Sequence, residues 1–240
     1  MAVLLGSDGV PRNNIPCKVL KENFALLHLD IDAAVSRNSG PSEIEIKIPD
    51  VSPEAFDLAA QFMICGDISL KAGPNEEHIA SILELIDAAD KLGVPRLDAL
   101  IKRMTFKLRA ILVRDHLALR GSHIRAAYDL KEEGGPIQRL FVLASVRRFL
   151  QYKGNDSDSQ FEDDEDEDMS AAQQASYSGS HFIFNQEMKI IPQFERALWK
   201  LARKCLAKRD KAIRRAQRGS TAEISVPVFL DPLNKKLFEL

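Results

Sequence analysis

Cysteine is scarce in this chain of 240 residues: Cys17, Cys65 and Cys205 are the full complement, odd in number and far apart. No disulfide framework can be drawn from them, so a reducing compartment is the simpler expectation. Long apolar runs are missing too. No stretch of about 18 apolar residues occurs, which argues against a membrane-spanning helix. The opening Met1-Ala2-Val3-Leu4-Leu5 is too short for the apolar core of a signal peptide and has no basic residue ahead of it. A cytosolic or nuclear location and no membrane partner are expected.

Signatures of chemistry are equally thin. Gly6 and Gly9 are too close for a phosphate-cradling loop and lack a following Lys-Ser/Thr, so a hairpin turn explains them better. His28, His78, His116, His123 and His181 have no zinc-type spacing with the cysteines. His116 and His123 are seven residues apart and can share a helical face, as a surface or half-buried pair. Asp30 and Asp32 fall at the end of a helical pattern and are read as solvent-facing. Cys17 and Cys65 lie in apolar surroundings on predicted helices, where buried thiols act as small hydrophobes. The chain is therefore read as a non-enzyme with no catalytic, cofactor-binding or metal-binding residue.

What is present is an ordinary globular composition, 45% hydrophobic and 28% charged, sufficient for a core in one or two domains. Residues 2–5 and 12–15, separated by Gly6-Ser7-Asp8-Gly9, predict a hairpin. Val19, Leu20, Phe24, Leu27 and Ile31 have helical spacing. Ile44, Ile46 and Ile48 alternate with Glu45 and Lys47, which predicts a strand over 43–49. Ser52-Pro53-Glu54 opens a helix that Gly66 ends. A short strand or extended piece follows at 67–70. Further helices are expected at 76–92, from Leu97 through Leu108, at 116–130, at 137–150 and at 193–218. With several helices beside a few short strands, the pattern is that of a mixed α/β (α+β) domain.

Three groups of residues resemble a known family. Val3-Leu4-Leu5-Gly6-Ser7-Asp8-Gly9 with Ile15-Pro16-Cys17-Lys18-Val19-Leu20 looks like an opening hairpin and the helix after it. Ile46-Lys47-Ile48-Pro49-Asp50-Val51-Ser52-Pro53-Glu54-Ala55-Phe56 looks like the family's next strand and helix start. Phe62-Met63-Ile64-Cys65-Gly66-Asp67-Ile68 and Ala88-Ala89-Asp90-Lys91-Leu92-Gly93-Val94-Pro95-Arg96-Leu97 complete the match. In order, these resemble a BTB/POZ domain of the small type common in fungal proteins, over about 1–108. A looser likeness to the helical extension of fungal members follows. Cys17 stands where the family has histidine, and Ile64-Cys65 where it has Tyr-Thr. The resemblance implies a BTB/POZ-like fold and an adaptor or scaffold that self-associates or presents a cullin scaffold with a substrate in ubiquitin ligase assembly. Phe62, Met63 and Ile64 are the candidate protein interface; core packing explains them equally well.

The expected organisation is a BTB/POZ-like domain at 1–110, a helical extension at 111–152, an acidic linker at 153–180 and a basic helix with an extended tail at 181–240. The net charge of −2 conceals this asymmetry: seven consecutive acids fill 162–168, and ten basic residues face two acids over 193–218. The acidic run is expected to be disordered, and Ser159 has the acids downstream that an acid-directed kinase prefers. The basic helix has three readings. It packs on the domain with solvated cations, or it contacts nucleic acid or import factors through Lys208, Arg209, Arg214 and Arg215, or it clasps the acidic run. Protein–protein interaction is the favoured function. A nuclear chromatin- or nucleic-acid-associated role is the alternative.

Overall fold

The structure is a computed structural model that describes residues 3–4, 11–12, 50–130, 134–155, 182–219 and 228–239. Two compact units divide the chain, Met1–Ala118 and Leu119–Leu240.

In the first unit, β1 (Val3–Leu4) pairs antiparallel with β2 (Pro11–Arg12), forming the hairpin the intervening turn residues predict. Helix α1 (Pro53–Cys65) begins where Ser52 Oγ accepts a hydrogen bond from Ala55 N at 3.2 Å. It ends at Gly66, whose φ of 69° is the left-handed cap that favours glycine. Helix α2 (Asn75–Lys91) buries Ile79, Ile82, Leu83, Leu85 and Ile86 and packs against both α1 and α3 (Leu97–Arg114). Helix α3 contributes Leu100, Met104, Leu108 and Leu112, one per turn, as a narrow buried stripe. A 3₁₀ turn, His116–Ala118, follows. Asn75 Nδ2 donates to Asp115 Oδ2 at 3.0 Å, joining the start of α2 to the end of α3 and holding the Asp115 carboxyl below its usual pKa.

The second unit holds α4 (Gly121–Asp129), α5 (Pro136–Asn155), α6 (Asn185–Ile190), α7 (Pro192–Gly219) and the antiparallel pair β3 (Val228–Leu230) and β4 (Leu237–Glu239). Apolar residues occur on every side of α5, and Leu140, Phe141, Val146, Phe149 and Leu150 are all buried. Such a helix belongs at a centre, and α4 and α7 both pack on it. Helix α7 offers Phe194, Leu198 and Ala202 to that core. Rings close the packing edge-on: Phe149 stands 5.3 Å from Phe182 and 4.7 Å from Trp199, and Phe184 stands 6.4 Å from Phe194. The expected extended tail contains a hairpin docked on α7, with Phe229 buried beneath the Arg209 guanidinium at 5.0 Å.

The mixed α/β expectation is overturned. The described residues are mostly helical, about 75%, and strand among them is confined to the two short ladders. The physical reason is visible at 67–70, expected to be strand or extended. Ile68 N donates to Asp67 Oδ1 at 2.8 Å, Ser69 N donates to Gln61 Oε1 at 2.8 Å, and Lys107 Nζ donates to Ile68 O at 2.9 Å. Side chains take backbone groups that a ladder would need, leaving an extended link with no strand partner among the described residues. The strand expected at 43–49, the helix through Val19–Ile31, Cys17, Asp30 and Asp32 lie outside the described residues, as do 156–181.

The single helix expected over 116–130 is divided between the 3₁₀ turn and α4. His116 and His123 therefore do not share one helical face. His123 is buried, and its Nδ1 accepts from Arg120 N at 3.2 Å, capping α4. The expected extension at 111–152 is divided: 111–118 belong to the first unit, and the rest meets residues of the 181–240 segment in the second, where α5 and α7 bury each other's apolar faces.

Candidate interaction surfaces

Phe62, Met63 and Ile64 form the last turn of α1. Phe62 and Met63 are half-buried, whereas Ile64 is 67% exposed. Cys65, expected in apolar surroundings, is exposed as well. It lies nine residues past the buried Phe56, about two and a half turns, and so on the opposite side of the helix.

The turn after α1 is clamped to α3. Asp67 Oδ2 accepts from Arg103 at 2.9 Å and Asp67 Oδ1 stands 3.0 Å from Lys107 Nζ. The Arg103 guanidinium, then Lys107, then the Ile68 N–H hold the Asp67 carboxyl far below the usual carboxylate range. Both partners are partly solvated, so the clamp contributes little to stability. Asp67→Asn should lower the stability of the first unit slightly at neutral pH. Because the folded pKa is depressed, the difference from wild type should persist down to about pH 4 and shrink below the ordinary value of 3.8. Thermal unfolding followed by circular dichroism across pH checks this.

Between the two clamping cations lies a residue the sequence reading passed over. Phe106 is 70% exposed. Two residues from the buried Met104, it is turned about 200° around α3, onto the outward side. Ala99, Ala110 and Val113 share that side. Together they form an apolar ridge, with exposed Lys102 and Arg109 along one flank and exposed Arg103 and Arg114 along the other. Asp98 in the first turn is the only acid of α3. The signal was present in the sequence: an aromatic residue off the buried stripe and among cations.

The four residues of the basic patch are not equivalent. Lys208 and Arg214 are exposed on α7. Arg209 is half-buried: it pairs with Asp210 Oδ1 at 2.7 Å and covers Phe229. The Arg215 side chain lies outside the described residues. Arg196, Lys200, Arg203, Lys204 and Lys211 are exposed along the same helix. Cys205 is half-buried, and burial pushes its thiol pKa up.

Among the described residues no cluster of three or more His, Cys, Asp or Glu could hold a metal, and no helix is long and apolar enough to cross a membrane. No protein-family model, no curated protein and no solved structure matches the chain.

Proposed function

We propose that this protein is a protein–protein interaction module that works as an adaptor or scaffold by presenting surfaces. One observation carries the reading: the outward ridge of α3, where Phe106 is 70% exposed and cations flank it on both sides. An exposed aromatic side chain within an apolar stripe is the kind of anchor that concentrates binding energy at interfaces. The cationic flanks favour an acidic rim on the partner. Self-association and a cullin scaffold, the partners implied by the BTB/POZ resemblance, are the two occupants to test.

Light scattering after size exclusion of the full chain, alone and with a cullin N-terminal domain, tests the reading. A dimer or a co-eluting complex is expected, and Phe106→Asp should abolish it. With Phe106 mostly in water, the substitution should change folding stability by no more than about 0.5 kcal/mol. A monomer that ignores the scaffold removes both occupants.

A second reading rests on α7, whose seven exposed cations, Arg196, Lys200, Arg203, Lys204, Lys208, Lys211 and Arg214, suit a phosphate backbone. Such a complex would weaken steeply with salt.

A further inference from the structure

The second unit contains a groove of about 670 Å³ between α5 and α7, with Tyr128 of α4 also on its wall. Its floor is aliphatic: Val142 and Leu143 from α5, Ala197 and Leu201 from α7. Its rim is cationic. Arg139 stands on the α5 wall, and Lys200 and Lys204, one turn apart, stand on the α7 wall; all three are exposed. No carboxylate is among the described lining residues.

Gln138 and Tyr128 of the wall serve the fold. Gln138 Nε2 donates to Ala127 O at 3.1 Å and its Oε1 accepts from Gly134 N at 2.7 Å, so this side chain staples α4 to the start of α5. The Tyr128 ring meets Phe194 edge-on at 6.0 Å, and burial pushes its phenol up to about 12, which marks that part of the wall as apolar. Concave apolar sites of this size, with a few converging polar groups, match single small ligands better than macromolecular surfaces.

We infer that this groove binds one anionic amphiphile, a long-chain carboxylate, with its chain on Val142, Leu143, Ala197 and Leu201 and its head group held by Arg139, Lys200 and Lys204. Charge complementarity selects the occupant. A neutral chain would leave the three rim cations unused, and an inorganic anion would leave the aliphatic floor uncovered.

The test is calorimetric titration of the full chain with oleate below its micellar concentration, with oleyl alcohol as the uncharged control. Saturation at one oleate per chain is expected, with the alcohol weaker by about tenfold or more, the loss of one charge-assisted contact. Lys200→Glu with Lys204→Glu should abolish oleate binding while leaving the thermal transition in place, since both side chains are exposed. Leu201→Ser, at the floor, should weaken oleate and the alcohol alike. The inference is overturned if oleate does not bind, if it binds no better than the alcohol, or if the double charge reversal leaves its affinity unchanged. It is also overturned if an acidic helical peptide binds the groove and oleate does not.

Discussion

Replacing Phe149 by alanine should destabilise the second unit by about 3–5 kcal/mol. Phe149 is buried at the centre of α5 and packs edge-on against both Phe182 and Trp199. Its loss removes the apolar transfer energy of the ring and leaves a cavity bounded by two other rings. Those rings are rigid and cannot collapse far into the space. Whole domains are stable by about 5–15 kcal/mol, so the loss would consume a large part of the total. Trp199 is the only tryptophan in the chain, so its fluorescence reports this unit alone. Urea unfolding followed at Trp199 should show the midpoint falling sharply. A loss below about 1 kcal/mol would contradict the packing of α5 described above.

The second large effect is expected at an ion pair. Arg125 of α4 pairs with Glu187 of α6 at 2.5 Å, and the two sit very differently: the Glu187 side chain is 4% exposed, that of Arg125 41%. Arg125→Met leaves a buried carboxylate without its cation and should cost about 3 kcal/mol. Glu187→Gln leaves a guanidinium that reaches water, and should cost less. The order of the two variants in the same urea experiment is the check; equal losses would contradict the asymmetry of burial. The pocket for this carboxylate depends on Gly121, where an added Cβ would stand 2.2 Å from Glu187 Oε1. A side chain at Gly121 would push the Glu187 carboxylate aside.

Local chemistry made the helices legible in the sequence. Ser52, Pro53 and Gly66 mark both ends of α1 because capping is a nearest-neighbour effect, and the four-residue spacing of α3's apolar residues marks its buried side. The piece at 67–70 was expected as strand or extended, and its sequence could not choose between the two. One of its backbone partners, Lys107, comes from a distant position in the chain, and only the fold brings it there. The Arg125–Glu187 pair was invisible for the same reason, its partners lying 62 positions apart in the chain. Helix α6 was missed because its six residues are too few to show a period. The site was partly legible. Ile64 was singled out on family resemblance and is exposed, whereas Phe106, on the outward side of α3, was passed over as attention went to the buried stripe. The basic patch was read as a cluster of four, but Arg209 is turned toward the C-terminal hairpin, a contact no linear pattern encodes.

The central claim is that the α3 ridge, and not the cationic face of α7, is where this protein meets its partner. The direct test measures the mass of the complex by light scattering for three full-length chains, wild type, Phe106→Asp and the double variant Lys208→Glu with Arg214→Glu, at about 0.1 M and 0.5 M salt. The ridge predicts that the wild type and the α7 variant associate alike at each salt concentration and that Phe106→Asp stays monomeric and unbound. Association that survives Phe106→Asp but disappears with the α7 charge reversal or at high salt would contradict it.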